Sequence, residues 1–301
     1  MARPLLCCAL LAPLLATALQ VWDNVLVRSR TAALERSVEE LGGSHFLLDR
    51  QAANPSCLLR NTLDELLHSV GDSSRYVEFW ARADWINLDV HRDVDEFLHR
   101  RSGEMRTPNH AHVLYIDIGP DCQGPTVLFL ENDNQSINRV VTVPAASLRL
   151  LRFQGHIVHA VPRPALAMLD PDIGGSNHEI FSRIRDDAKL NATFKRSVVL
   201  FNTWGDQPPE EVIMLPEAEG PKVESSVADK ALWTTICINV VPEEQDWVRM
   251  KLRQVGVGSR RVRPLSSIEL NVNPSIKIAL LEVKLASAPL RASMPERGPR
   301  P

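Results

Sequence analysis

The chain has 301 residues, 44% of them hydrophobic and 24% charged, with a formal net charge of -3 and a pI near 6.3. This length and apolar fraction can bury a substantial core, which excludes a disordered chain and favours one large domain with extensions over several small ones. The slightly acidic balance excludes a global positive field for gathering nucleic acid or anionic membrane, and Arg100-Arg101 and Arg260-Arg261 read as local, solvated clusters.

Residues 1–18 have the form of a signal peptide: Arg3 is the basic start, Pro4 to Leu15 is apolar, and Ala16-Thr-Ala18 is a small-residue cleavage site. The apolar run is shorter than the about 20 residues needed to span hydrocarbon, so membrane association is expected only if this segment stays uncleaved. The implied location is the secretory pathway, either the endoplasmic reticulum lumen or the exterior. In an organism with plastids, a plastid route that begins with a signal peptide is the alternative. Cys57, Cys122 and Cys237 remain beyond that segment and allow at most one internal disulfide, so packing must hold the fold. Asn134-Gln-Ser136 and Asn191-Ala-Thr193 fit the N-glycosylation pattern, a short motif that supports a secretory route only weakly.

Residues 19–74 read as an N-terminal helical segment. Leu34, Val38 and Leu41 recur at three to four residues before Gly42-Gly43, and Leu63, Leu66, Leu67 and Val70 share one face before Gly71. From residue 75 to 206 the pattern changes to short β-branched runs separated by Gly, Pro, Asn and Asp, including His112 to Ile118, Pro125 to Leu130, Arg139 to Val143 and Ser197 to Phe201. Without regular intervening helices these runs predict an antiparallel sandwich or barrel, mainly β with flanking helices, and a double-sheet jelly roll suits the spacing. Residues 163–195 are rich in Pro, Gly, Asp and Asn and read as a loop inserted over the mouth of the core. Residues 207–285 form a C-terminal extension that alternates again at Leu232 to Val241 and Ile268 to Leu281, and residues 286–301 a disordered, Pro- and Arg-rich tail.

Chemistry concentrates in three places. His91-Arg-Asp93 is a His-x-Asp pair whose side chains, two residues apart on a strand or turn, face the same way. Gly155-His-Ile-Val-His159 brings a further histidine from a different strand, and Lys195-Arg196 places a cation at the mouth of an apolar strand. Two histidines and one carboxylate form the facial triad that holds ferrous iron and leaves open positions. Alternatives at each place are His156 for the distal ligand, Arg163 for the cation, and the His110-Ala-His112 pair, which is the start of a cupin-type site or a strand entry. Trp80, Trp85 and Trp204 are candidates for a pocket wall, with core packing the better reading.

The ordered set His91-x-Asp93, Val113-Leu-Tyr115, Gly124-Pro-Thr126, Val143-Pro, His159-Ala-Val and Arg196-Ser-Val resembles the 2-oxoglutarate and Fe(II)-dependent dioxygenase superfamily, in particular its prolyl 4-hydroxylase-like branch. The resemblance covers Trp85 to Trp204. It departs from the pattern in the long interval between His159 and Arg196, and in placing Ser197 directly after the cation. It implies a double-stranded β-helix (jelly roll) core, Fe(II) held by His91, Asp93 and His159, and 2-oxoglutarate held by Arg196 with Tyr115 and Thr126. It further implies molecular oxygen as oxidant, with ascorbate as an accessory reductant the family allows. The expected activity is hydroxylation of a protein or peptide side chain, prolyl hydroxylation being the familiar precedent. A small-molecule oxygenase and a non-catalytic jelly-roll or cupin-like binding module are the alternatives. Nucleic acid is not an expected substrate, given the acidic balance and the leader.

Overall fold

The computed structural model describes residues 19–40, 44–52, 57–82, 88–120, 122, 124–131, 137–161, 163–164, 192–215, 226–229, 247–255, 262–271 and 279–282. The leader, the sequon at 134–136, Asn191 of the second sequon, Trp85, Cys237, most of the 163–195 loop and the 286–301 tail lie outside these residues. Strands are β1 (Leu19–Trp22), β2 (Phe46–Asp49), β3 (Tyr76–Arg82), β4 (Leu88–His91), β5 (His110–Ile118), β6 (Thr126–Glu131), β7 (Ile137–Val143) and β8 (Arg149–Gln154). They continue as β9 (Val158–Val161), β10 (Arg163–Pro164), β11 (Arg196–Trp204), β12 (Ile213–Met214), β13 (Trp247–Val255), β14 (Val262–Asn271) and β15 (Ala279–Glu282). Helices are α1 (Thr31–Glu40), α2 (Leu58–Ser69) and α3 (Glu96–Ser102).

The strands form two sheets. One has the order β1-β8-β5-β11-β3-β2-β12 and the other β10-β13-β4-β9-β6-β7-β15, with β14 on β13. Four antiparallel pairs nest within one another: β3 with β11, β4 with β9, β5 with β8, and β6 with β7. This is a long hairpin rolled so that its paired strands alternate between sheets, and β11 with β5 and β9 with β6 then close the roll laterally. Such pairing defines a double-stranded jelly roll and agrees with the sequence expectation.

Period-two alternation divides the sheet that contains β3, β5 and β11 into two faces. Val77, Phe79 and Ala81 of β3, Leu114 and Ile116 of β5, and Val199 and Phe201 of β11 pack outward against Leu34 and Val38 of α1 and Leu59, Leu63, Leu66 and Leu67 of α2. Each buried leucine contributes about 1.5–3 kcal/mol of apolar transfer. Trp80, Val113, Tyr115, Val198 and Leu200 point into the roll with Leu128, Val141 and Val143 of the facing sheet. With both faces covered, all nine residues of β11 are buried.

The ends of the described chain join the sheets. In the segment read as helical, β1 pairs with β8 and β2 with β3. Beyond residue 206, β12 pairs with β2, β13 with β4 and β15 with β7. β1, β2 and β15 are four residues long and β12 two, too short for a period to show in sequence. Cys57 and Cys122 are free thiols. Among the described residues no helix is long and apolar enough to cross a membrane.

Candidate metal centre

The sheet that contains β4 and β9 brings the two predicted histidines face to face. His91 at the end of β4 and His159 in β9 are direct cross-strand partners, although 68 positions separate them in sequence. Their ring centroids lie 4.3 Å apart. Leu128 of β6 is the partner of His159 on its other side, so the imidazole enters the roll among inward-facing residues. Asp93 lies two residues past His91 and returns to the same side. Its Oδ1 is 3.5 Å from His91 Nε2 and 3.8 Å from His159 Nε2. The three donor atoms lie within 4.8 Å of one another, and this is the single group of three such ligands among the described residues.

Protonation follows from the surroundings. His159 Nδ1 lies 3.1 Å from the Ile157 carbonyl, which places the ring proton on Nδ1 and leaves the Nε2 lone pair facing Asp93. Burial pushes the His159 pKa down to about 4; the neighbouring His91 adds to this and Asp93 opposes it. The ring is therefore neutral at pH 7, as a metal ligand must be. Burial alone would raise the Asp93 carboxyl. The His159 charge, the His91 hydrogen bond and charge, and a hydrogen bond from Asn202 outweigh it and hold Asp93 at about 2. One carboxylate and two imidazoles, neutral when they ligate a metal, sum to a single negative charge, a donor set suited to a divalent first-row metal.

A second polar centre sits deeper in the roll. Arg196, at the start of β11, is 0% exposed. Its Nε donates to the Gly124 carbonyl at 3.2 Å, and the guanidinium carbon lies 5.5 Å from the centre of the Tyr115 ring. Nη1 and Nη2 have no hydrogen-bond partner among the described residues. A buried cation with both fork nitrogens free is costly unless an anion completes it, and a carboxylate matches the fork geometry. The Tyr115 and Thr126 hydroxyls are 2.6 Å apart, both fully buried. Thr126 precedes Leu128 by two residues, so about 7 Å of strand separates the His159 level from this anion end. A five-carbon dicarboxylate spans that interval.

The structure thus gathers His91, Asp93 and His159 at one end of the roll and Arg196, Tyr115 and Thr126 at the other. His156 is exposed in the β8–β9 turn. Gly155 sets that turn: a side chain there would run into the Pro108 carbonyl. His112 lies on the outer face, where it stacks on Phe201 with ring centroids 4.4 Å apart, and the described donors form no cupin-type cluster around it. The backbone of Arg163, in β10, pairs with Lys251 in the sheet opposite the one that carries Arg196. Trp204 donates to Glu78 and is buried, and Trp80 stacks on His45 at 4.6 Å. Asn202 escaped the sequence reading, although it shares the inward face of β11 with Val198 and Leu200; once that strand is fixed, alternation alone points to it.

Fold and site together define a class: a jelly roll with a partly buried His-Asp-His cluster and, inside the same roll, a buried guanidinium that meets no carboxylate among the described residues. No protein-family model and no curated protein matches the chain. Among solved structures it is similar to a Pseudomonas putida prolyl-4-hydroxylase at 16% identity and TM-score 0.38, covering 66% of this chain and 94% of that one. It is also similar to HygX from Streptomyces hygroscopicus with nickel and 2-oxoglutarate bound, at 14% identity and TM-score 0.39, covering 75% and 98%. EctD from S. alaskensis in its apoform matches at 10% identity and TM-score 0.38, covering 75% and 88%. At these values the likenesses add nothing to what the strand pairing already establishes.

Proposed function

We propose that the protein is an Fe(II)- and 2-oxoglutarate-dependent dioxygenase. The observation that carries this reading is the pairing, inside one roll, of the His91, Asp93 and His159 donors with the unpartnered Arg196 fork. His91, Asp93 and His159 hold the metal, and Asn202 and the Ile157 carbonyl orient two of them. Bound ferrous iron supplies the coupling of 2-oxoglutarate decarboxylation, with molecular oxygen, to hydroxylation of a C–H bond, giving succinate, carbon dioxide and the alcohol. Arg196 takes the distal carboxylate of 2-oxoglutarate in a bidentate pair, and the Tyr115 and Thr126 hydroxyls offer it further hydrogen bonds. Leu128, Val198 and Leu200 exclude water between the two ends.

For the acceptor we favour a protein or peptide side chain, prolyl residues included, in the secretory pathway. The leader-like residues 1–18 and the prolyl hydroxylase-like order of motifs support this. A small-molecule acceptor uses the same iron and co-substrate residues. The test is an anaerobic titration of the chain lacking residues 1–18 with ferrous iron and then 2-oxoglutarate. A visible charge-transfer band in wild type that disappears in Asp93→Ala is expected. A folded wild type without the band overturns the reading.

A further inference from the structure

Three arginines converge on the deep end of the roll. Tyr115 pairs with Arg149 on one side and with Val198 on the other, and Val198 pairs with Arg82. Arg82 shares the inward face of β3 with Trp80, and Arg196 lies two residues from Val198 on the strand beside it. The three cations are treated differently. Arg149 donates to Asp23 at 2.7 Å and to the Pro144 carbonyl at 2.7 Å. Among the described residues, Arg82 and Arg196 meet no carboxylate. Arg82 Nε is buried without a partner, as are both fork nitrogens of Arg196.

Two guanidiniums beside each other without an anion repel and are poorly hydrated, an arrangement that stands only if a ligand completes it. Burial holds the Arg82 guanidinium below its ordinary range, and the charge of Arg196 pushes the same way. One structural anion would have been enough to neutralise the pair, as Asp23 does for Arg149. None of the described residues supplies one, and the carboxylate of a bound ligand would provide the compensating charge.

We propose that Arg82 is a second cation of the co-substrate pocket, closing with Arg196 a two-guanidinium clamp on the distal carboxylate of a dicarboxylic acid. This rests on the dioxygenase reading for the identity of the ligand. Arg82 lies at the end of β3 next to the start of β11, at the anion end of the roll and away from Asn202 and Asp93. It is therefore a co-substrate residue, and acceptor choice lies elsewhere. A pocket with two cations selects a dicarboxylic keto acid over a monocarboxylic one more strongly than a single arginine would.

The experiment uses wild type, Arg82→Gln, Arg82→Lys and Arg196→Gln, with two readouts besides turnover. The first is 2-oxoglutarate affinity of the anaerobic ferrous protein, from the visible band. The second is calorimetric binding of glutarate to metal-free protein, since glutarate has the carboxylates and lacks the keto acid. Arg82→Gln is expected to weaken both by about tenfold or more, as loss of a charge-assisted contact does, with Arg82→Lys in between. The ligand-free Arg82→Gln protein should melt no lower than wild type, because it sheds an uncompensated charge; a purely structural arginine would lower it. A normal band with Arg82→Gln within twofold of wild type in both assays overturns the clamp and leaves the dioxygenase standing. Arg82-dependent glutarate binding without any band overturns the dioxygenase and leaves the clamp. Failure of wild type to bind glutarate at all overturns the clamp.

Discussion

Replacing Arg196 with Gln keeps a polar side chain of similar reach but removes the charge and the fork. In the reading above, the Arg196 Nη atoms, unpartnered among the described residues, form two charge-assisted hydrogen bonds to the distal carboxylate. At about 1.5–3 kcal/mol each, their loss totals about 3–6 kcal/mol, or roughly a 10²- to 10⁴-fold fall in 2-oxoglutarate affinity. The other end of the co-substrate is untouched, because His91, Asp93 and His159 lie about two strand residues away. The anaerobic charge-transfer titration should therefore show the same band, reached at 2-oxoglutarate concentrations at least a hundredfold higher, with iron affinity unchanged. An unchanged midpoint would refute the assignment of Arg196. Loss of iron binding together with the shift would make Arg196 a structural residue for the whole roll.

The remaining expectations concern ligands, pH and the turn. Asp93→Ala removes the one anionic donor and should abolish iron binding by equilibrium dialysis; retention of iron would break the triad assignment. His159→Ala should lose metal while exposed His156→Ala stays close to wild type, and the reverse order would move the ligand three residues. Burial pushes His112 down to about 3, with Asp72 opposing and Arg152 and His110 adding, and His159 sits at about 4. The unfolded chain protonates these imidazoles below about 6.5 while the fold keeps them neutral. Stability of the metal-free protein must then fall as pH drops from 6.5 towards 4, by up to about 1.4 kcal/mol per pH unit for each histidine. Urea midpoints that stay flat across that window would show that the rings are not held neutral. Gly155→Ala drives a Cβ into the Pro108 backbone and should cost about 1–3 kcal/mol, read as a lower melting temperature. An unaltered melting point would mean the turn is free to move.

Much of this site was legible because its parts carry strong local signals. His91-x-Asp93 and His159 are distinctive residues on strands with clear alternation, and α1 and the strands β5 to β8 obey their periods closely. Other features depend on pairing that no local window contains. The cross-strand meeting of His91 with His159, the Asn202 contact to Asp93 and the juxtaposition of Arg82 with Arg196 arise only when strands from different parts of the chain close the roll. Short strands such as β2 and β12 are specified by their neighbours, and their own residues have too few positions to show a period. Helix α3 went unread for a different reason. Its Asp95 cap, which accepts from the Leu98 N–H at 3.0 Å, and its left-handed Gly103 stop are standard boundary signals. At seven residues the helix is too short for its period to stand out from the strands on either side.

The same alternation that builds the sheets separates stability from chemistry. Along β11, Val199 and Phe201 face the helices, while Val198, Leu200 and Asn202 face the interior of the roll. Outward positions can be filled by any residues that pack against α1 and α2, so they bear the cost of holding the fold. Inward positions are then free to carry groups that a core would normally reject, including an unpaired guanidinium and a carboxylate between two imidazoles. In the proposed reading ligand satisfies those groups, so ligand binding and folding couple through the inner face. Substitutions that weaken the outer face should lower stability with and without ligand alike. Substitutions at Arg82, Arg196 or Asp93 should instead change the difference between the two states.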